Sequence, residues 1–409
     1  MWCAESPAHT VTEDNRHREA LTVRSRYLPS VRAAAAGLVA LALVTTGCSD
    51  DSGGPSPEKS ESATPSAETG PNATASAAPA KGSVKVERTI TARLKSPWGL
   101  APLPGGGLLV SQRDDGKIIR VDERSGKKTE VGTVPGVQAS GEGGLLGIAV
   151  PPDSAKLVYA YLTTASDNRI VRMVYDPKKP SGNQLGAPDT ILKGIPKGEI
   201  HNGGRIAFGP DKMLYAGTGE SGQGGLSQNK KSLGGKILRM TPDGEPPGQG
   251  NPERDSFFYT YGHRNVQGIA WDAGKRLWAS EFGQNTWDEL NLIRPGKNYG
   301  WPEAEGRAGE SGFVDPVEQW RTADASPSGI AIVKGSVWMA GLRGERLWRI
   351  PLKGTAPAAD PQAFLEGRYG RLRTVVADGS GGLWLMTSET DGRGSPDRGD
   401  DRILKLKVS

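Results

Sequence analysis

The amino-acid sequence predicts an all-β fold, a six-bladed β-propeller, and three observations support this prediction. The 409 residues include 57 glycines and 30 prolines, a composition typical of short strands joined by tight turns. One phrase, an aliphatic strand followed by a turn and a second strand, recurs six times after residue 83. A third strand of alternating character closes most copies, as in the segments KIIRVD and RILKLKV.

The six copies are spaced along the chain as propeller blades are. They begin at intervals of about 45 to 63 residues, close to known blade lengths. Their sequences are WGLAPLPGGGLLVSQ, LGIAVPPDSAKLVYAYL, GRIAFGPDKMLYAGTG, QGIAWDAGKRLWASEFG, SGIAIVKGSVWMAGL and RTVVADGSGGLWLMTS. A β-sandwich is the alternative, but it does not account for six copies of one phrase. Loops on one face of a propeller surround its central channel, so we expect function there.

The N-terminal region has the composition of an export signal followed by a linker. Residues 1–47 contain arginines, the apolar run AAAAGLVALALV and small residues, in the order of a signal peptide, and the acidic residues 1–22 fit an upstream start. Cys48 resembles the cysteine of a bacterial lipobox, and ordinary signal cleavage nearby is the alternative. Residues 48–82, rich in Ser, Ala and Pro, are expected to form a disordered tether. We therefore expect an extracytoplasmic protein, either a membrane-anchored lipoprotein or a secreted one.

The remaining segment, residues 83–409, is expected to form the propeller and to carry the chemistry. The formal charge of the whole chain is only +5, and its basic residues are scattered. This distribution excludes nucleic acid as an expected partner. The two cysteines are Cys3 and Cys48, so the propeller has no thiol for catalysis, a disulfide or a metal site.

His201 is the leading candidate for a catalytic residue. The chain has four histidines, and only His201 and His263 lie in the propeller. His201 begins the segment HNGGRIAF, where small neighbours would leave its imidazole accessible at the mouth of a predicted strand. An accessible imidazole suits a general base. A histidine hydrogen-bonded within a loop is the structural alternative.

Basic and amide side chains at strand ends predict an anion-binding site. Arg264 and Asn265 lie in the segment YGHRNVQGIAW, and Arg343, Arg371 and Arg373 lie at strand ends of the last two copies. A guanidinium group binds a planar carboxylate through two hydrogen bonds. Salt bridges between blades are the alternative for each arginine taken alone.

The segment SEFGQNTWDELNLIRPGKNYGWPE is a candidate cation site. It combines Glu281, Asn285, Asp288, Glu289 and Asn291 with turn glycines and with backbone carbonyl oxygens. Oxygen ligands of this kind suit a hard cation such as calcium. Solvated loop acids are the alternative, and the spacing is not that of an EF-hand loop.

Five motifs together resemble the glucose/sorbosone dehydrogenase family, the soluble aldose sugar dehydrogenases that depend on pyrroloquinoline quinone (PQQ). The motifs are GEGGLLGIAV, HNGGRIAFGPD, YGHRNVQGIAW, DELNLIRPGKNYGWP and GRLRTVV, and they follow the family's order over nearly the whole propeller. The resemblance implies PQQ- and calcium-dependent oxidation of aldose sugars at C1 to the lactone. It also implies that electrons pass to a dye, a quinone or a cytochrome.

The resemblance assigns roles to individual residues. It implies that His201 is the general base and that Arg264 contacts both cofactor and substrate. The residues that it places around the cofactor are Glu142, Arg264, Asn265, Arg343, Arg371 and Arg373. Glu142 stands where the glucose dehydrogenases commonly have a glutamine near the sugar, so glucose itself is not the assured substrate.

The resemblance also implies metal sites, and two other functions stay open. The backbone carbonyls of Gly283 and Gln284 would bind the calcium on the quinone, and Glu253 with the Tyr261 carbonyl would bind a second, structural calcium. A propeller that binds a carbohydrate or a protein without catalysis is one alternative. A calcium-dependent lactonase is the other, although neither needs four cationic groups around one channel.

Overall fold

The computed structural model describes residues 77–409, and these residues form the predicted six-bladed β-propeller. The predicted signal, the lipidation site Cys48 and the tether up to residue 76 lie outside the described residues. Over residues 77–409, no helical segment combines the length and the apolar character that crossing a membrane requires.

Each of the first three blades is an antiparallel sheet of four strands, and β1 (Val84–Thr91) precedes them in the chain. Blade one contains β2 (Pro97–Pro102), β3 (Leu108–Gln112), β4 (Lys117–Val121) and β5 (Lys128–Thr133). Blade two contains β6 (Leu145–Ala149), β7 (Leu157–Thr163), β8 (Asn168–Val174) and β9 (Asp189–Ile195). Blade three contains β10 (Arg205–Phe208), β11 (Leu214–Gly217), helix α1 (Gly225–Gln228), β12 (Lys236–Met240) and β13 (Phe258–Tyr261).

The last three blades repeat this order, with one extra strand and one strand from the N-terminal side. Blade four contains β14 (Val266–Trp271), β15 (Leu277–Glu281), β16 (Trp287–Ile293) and β17 (Glu318–Arg321). Blade five contains β18 (Pro327–Val333), β19 (Ser336–Gly341), β20 (Leu347–Lys353), β21 (Ala356–Pro357) and β22 (Gln362–Phe364). Blade six contains β23 (Leu372–Ala377), β24 (Gly382–Thr387) and β25 (Ile403–Val408), and its outermost strand is β1.

The hydrophobic core is divided among the contacts between blades. Six clusters of buried side chains occur, one between each pair of neighbouring blades. Because both faces of a blade are covered, the strands nearest the channel, such as β6 and the second strand β3, are buried along their whole length. This explains why their sequences are short apolar runs rather than alternating ones.

The structure adds outer strands that the repeats did not predict. The copies gave three strands a blade, whereas each sheet has at least a fourth, and β1 pairs with β25 across the whole chain length. Residues 77–82, which composition placed in the tether, lie against blade five. The Ala78 N–H donates to the Leu352 carbonyl at 2.9 Å, and Arg349 donates to the Pro79 carbonyl at 2.8 Å.

Candidate active site

His201 is held by two carboxylates just before the inner strand of blade three. Its backbone lies in the left-handed region, with φ of 55°, which is uncommon for a residue other than glycine. The backbone N–H donates to Glu142 Oε2 at 2.8 Å, and Nδ1 bonds to Glu220 Oε1. An ionised carboxylate only accepts hydrogen bonds, so the proton lies on Nδ1 and Nε2 is left as the basic nitrogen.

Glu220 is the functional residue that the motifs did not identify. The residue is 2% exposed, and its backbone N–H donates to the Arg264 carbonyl at 3.0 Å. Glu220 Oε2 is buried without a partner among residues 77–409. A buried carboxylate is costly unless it is paired, which ties Glu220 firmly to the imidazole. The sequence signal was available, because an acid follows the second strand in the segments GTGE, ASE and TSE.

The glycines beside His201 serve packing rather than access. His201 is only 8% exposed, so the small neighbours do not open its imidazole to solvent as expected. A Cβ atom on Gly203 would lie 2.5 Å from the Thr218 Cα, and one on Gly219 would overlap the His201 carbonyl. These glycines therefore let the loop of His201 lie directly against the loop of Glu220.

His263 has a structural role. It is fully buried, with Nδ1 2.8 Å from Glu281 Oε1 and Nε2 2.8 Å from Thr260 Oγ1. Its ring stacks on Tyr299 with centroids 4.6 Å apart. Because both ring nitrogens are engaged, His201 is the histidine of residues 77–409 that remains for catalysis.

Arg264 and Asn265 lie next to the loop of His201. Asn265 Oδ1 accepts the Gly203 N–H at 2.9 Å, and Arg264 Nη1 donates to the Gly283 carbonyl at 2.6 Å. Asn265 Nδ2 and Arg264 Nε are buried donors without a partner among the described residues. Burial lowers the pKa of Arg264, and the nearby Glu220 carboxylate opposes that shift. The two residues therefore present unused donors beside His201.

Arg371 and Arg373 converge on one carboxylate at the start of blade six. Their Nη2 atoms lie 2.9 Å and 3.0 Å from Asp391 Oδ2. Burial alone would raise the pKa of the Asp391 carboxyl, but the Arg373 and Arg371 cations outweigh it and lower this pKa to about 2. Asp391, like Glu220, was missed in the sequence, because it lies in an irregular loop far from both arginines in the chain.

Arg371, Arg373 and Asp391 help to line a narrow recess at one end of the channel. The residues around it are Trp98, Arg113, Glu142, Gln267, Phe282, Leu342, Arg371, Arg373, Asp391 and Arg393. Glu142 joins the recess to the base, because Oε1 lies 2.9 Å from Arg393 Nη2 while Oε2 accepts the His201 N–H. Arg343 follows Leu342 at the rim, where it is exposed and makes no hydrogen bond or ion pair with residues 77–409.

The loop after β15 is built around Glu305 rather than around its own acids. Glu305 Oε1 accepts the backbone N–H groups of all four residues 284–287 at 2.7–3.1 Å. Asp288, Glu289 and Asn291, which looked suited to a cation, lie on β16 and are buried. Burial raises the pKa of Asp288 to about 7. These side chains form hydrogen bonds within the protein.

The residues expected at the metal sites are placed separately. Gly283 lies beside Arg264, and Gln284 is exposed. Glu253 is exposed in the loop before β13, whereas the Tyr261 carbonyl accepts the Tyr299 N–H at 3.0 Å. Among residues 77–409, no three acidic, histidine or cysteine side chains are grouped to hold a metal ion.

Comparison with known proteins places the chain among sugar dehydrogenases. The family model described as Glucose / Sorbosone dehydrogenase matches residues 94–398. The chain is 29% identical to the aldose sugar dehydrogenase YliI of Escherichia coli, over 77% of this chain and 92% of that protein. It is 32% identical to quinoprotein glucose dehydrogenase B of Acinetobacter calcoaceticus, over 56% of this chain and 54% of that protein.

Two solved structures extend this similarity. The PQQ-bound aldose sugar dehydrogenase of Streptomyces coelicolor is 74% identical, with 81% of this chain and all of that chain covered and a TM-score of 0.80. The apo-form of the soluble aldose sugar dehydrogenase of Escherichia coli is 26% identical, with 80% of this chain and 99% of that chain covered and a TM-score of 0.68.

The contact with Glu220 predicts the tautomer of His201. We expect ¹⁵N NMR of the chain from Ala77 to show Nδ1 protonated and Nε2 unprotonated. Glu220→Met removes the acceptor and should give a mixture of both tautomers. Glu142→Gln is the matched control, because Glu142 bonds to the backbone N–H of His201 and not to its ring, so the tautomer should be unchanged. A protonated Nε2 in the parent protein would contradict this geometry.

Proposed function

The chain belongs to the glucose/sorbosone dehydrogenase family, and we propose that it oxidises aldose sugars at C1 to lactones with PQQ as cofactor. Membership makes it an oxidoreductase that acts on the CH–OH groups of sugars. One observation carries the proposal for this chain. The buried Glu220 carboxylate fixes His201 as a base, one contact away from a recess lined by arginines.

The residues of the recess fit PQQ, a flat quinone that bears three carboxylates. Arg371 and Arg373 already bind one carboxylate, that of Asp391, and Arg343 lies unpaired at the rim. Arg264 Nε and Asn265 Nδ2 are buried donors that lack a partner among residues 77–409, as expected where a polar ligand completes the site. When bound, PQQ supplies the quinone that accepts hydride from C1 of the sugar.

His201 would remove the proton of the anomeric hydroxyl. The proton on Nδ1 is held by Glu220, so Nε2 is the nitrogen that accepts. The same carboxylate stabilises the imidazolium that forms, because it lies against Nδ1 in a buried site. Glu142 anchors the His201 backbone and thereby fixes the direction of the ring.

The site favours sugar oxidation over the two alternative functions, a non-catalytic binding protein and a lactonase. A binding protein has no need of a histidine whose tautomer is fixed by a buried acid. A lactonase has no need of several arginines around one channel. The 74% identity to a PQQ-bound aldose sugar dehydrogenase favours the oxidation chemistry.

Calcium is a further part of the proposal. The N–H groups of residues 284–287 point at Glu305, so the carbonyls of the preceding residues point away from Glu305. The Gly283 carbonyl already attracts a cation, the Arg264 guanidinium. Neutral carbonyl oxygens together with the carboxylates of PQQ form a donor set that suits Ca²⁺. This calcium would also act as a Lewis acid on the quinone.

The electron acceptor and the location complete the proposal. Electrons would leave to a dye, a quinone or a cytochrome. Cys48 would carry the lipid that anchors the propeller to the membrane outside the cytoplasm, with the Ser/Ala/Pro-rich segment as a spacer. The extracytoplasmic location rests on sequence composition alone.

Two substitutions separate catalysis from cofactor binding. His201→Gln should leave the Kd for PQQ nearly unchanged and lower kcat about 10²- to 10⁴-fold, because it removes only the base. Arg371→Ala should weaken PQQ binding about tenfold or more, because a carboxylate loses its cationic partner. PQQ titration followed by sugar-dependent dye reduction measures both effects.

The control for Arg371→Ala is Arg124→Ala, which removes an exposed arginine from the turn between β4 and β5. Arg124→Ala should match the parent protein in both measurements. A His201→Gln protein that oxidised aldoses at the parent rate would show that His201 is only a loop residue.

Calcium dependence is tested by removing the cation and by loosening its loop. A chelator should weaken PQQ binding, and added Ca²⁺ should restore it. Glu305→Ala releases four N–H groups and should raise the calcium concentration needed for half-maximal PQQ binding about tenfold. Glu303→Ala is the matched control, because Glu303 is exposed two residues away. Undiminished PQQ affinity in the chelator would count against this site.

The membrane anchor is tested by cell fractionation of the host. The parent protein should sediment with membranes, and Cys48→Ala should release it into the soluble extracytoplasmic fraction. Equal membrane association of the two proteins would remove the lipid from the proposal.

A further inference from the structure

The channel contains a second cavity, at the end opposite to the recess. It has a volume of about 200 Å³ and is lined by the later residues of the inner strands, such as Pro102, Phe208 and Val376. Most of its lining residues have aliphatic or aromatic side chains, polar backbone atoms border it as well, and Arg205 is the one charged residue among those that line it. The proposed sugar chemistry makes no use of this cavity.

Arg205 is buried without an acidic partner. Arg205 is 8% exposed. Its Nε donates to the Gln267 carbonyl at 2.7 Å, and its Nη2 donates to Thr374 Oγ1 at 3.1 Å. The guanidinium lies 4.4 Å from the ring centroid of Trp98. Nη1 makes no hydrogen bond within residues 77–409, and no carboxylate there forms an ion pair with Arg205. The cavity is therefore bordered by a cation with unused donors.

The position of Arg205 is unusual within the repeat. The equivalent residue of the inner strand is glycine in four blades and threonine in one, at Gly99, Gly147, Gly268, Gly329 and Thr374. A Cβ atom on Gly147 would overlap the Gly204 carbonyl, so the close approach of the inner strands requires glycine there. Blade three instead places the longest cationic side chain at this level of the channel.

An uncompensated buried cation is costly to the folded protein. Burial, and then the Arg373 cation, lower the pKa of Arg205 to about 9, so Arg205 keeps its charge at neutral pH. An isolated buried charge destabilises a protein unless an opposite charge or a hydrogen-bond acceptor offsets it. An anion in the adjacent cavity would supply an opposite charge and a hydrogen-bond acceptor. An apolar body attached to that anion would pack against the aliphatic side chains that line the cavity.

We propose that this second cavity binds a monocarboxylate with a short apolar body, whose carboxylate accepts hydrogen bonds from Arg205 Nη1. The apolar body lies against side chains of the inner strands such as Ile148, Phe208 and Ile330. A guanidinium beside aliphatic side chains favours an amphipathic anion over a sugar or an inorganic ion. The site is independent of the proposed oxidation, because it shares no ligand-facing residue with the recess.

The test is calorimetric titration of the PQQ-loaded and the PQQ-free protein with sodium hexanoate. We expect saturable binding of one hexanoate to both forms. Hexanamide, the neutral analogue, should bind about tenfold more weakly or worse, because it lacks the charge-assisted contact. Sodium chloride at the same ionic strength should not displace hexanoate.

Two variants locate the binding site. Arg205→Met removes the charge, and Ala207→Leu fills the cavity while it keeps Arg205; each should weaken hexanoate binding about tenfold or more. If Arg205→Met fails to fold, Ala207→Leu still decides the question. Hexanoate binding that is unchanged in Ala207→Leu, equal to that of hexanamide, absent, or abolished by PQQ would overturn the proposal. Displacement by chloride would also overturn it, because it would indicate an unspecific anion site.

Discussion

The site depends on one contact that recurs at the same end of several blades. A polar side chain at or just after the end of the second strand accepts a hydrogen bond from the residue that leads into the first strand. The pairs that make this contact through the backbone are Gln112 with Lys95, Glu281 with Arg264, and Glu389 with Arg371. Because a buried polar group must be hydrogen-bonded, each pair fixes the loop at the mouth of the channel. As a result, the side chain of Arg371 lies at the recess and that of Arg264 lies near Glu220.

Blade three converts this structural contact into a chemical one. Glu220 occupies the position of the recurring acid, but the backbone N–H of His201 donates to Glu142 of blade two instead. The left-handed backbone of His201 turns the imidazole toward Glu220, which then binds Nδ1. A carboxylate that elsewhere stabilises a loop therefore fixes the tautomer of a base. The cost of burying Glu220 is offset by the same bond that orients the histidine.

The sequence predicted the features that depend on residues close together in the chain. The repeated phrase correctly predicted six blades, whereas the roles that motif resemblance gives to His201, Arg264, Arg371 and Arg373 stay predictions. The sequence did not predict strand β1, because β1 pairs with β25 and this pairing joins the two ends of the propeller. It also misjudged Asp288 as a loop acid, since burial depends on neighbouring strands and not on local composition.

The missed side chains share a physical reason. Asp391 and Arg393 lie in a loop without a regular pattern; Asp391 pairs with Arg371 and Arg373 of its own blade, and Arg393 pairs with Glu142, which precedes blade two. Glu220 could have been predicted only from an alignment of the blades with one another, because an acid at or after the end of the second strand recurs in three of them. Charge and spacing alone do not indicate which carboxylates meet which cations when they converge from different blades.

The most direct measurement is reconstitution of the purified apoprotein with PQQ and Ca²⁺, followed by a dye-reduction assay with a panel of aldoses. The account predicts stoichiometric PQQ binding and reduction of the dye that requires both PQQ and an aldose. The lactone should accumulate in step with the reduced dye. Stoichiometric PQQ binding without dye reduction by any aldose would contradict the assignment of His201 and its recess to sugar oxidation.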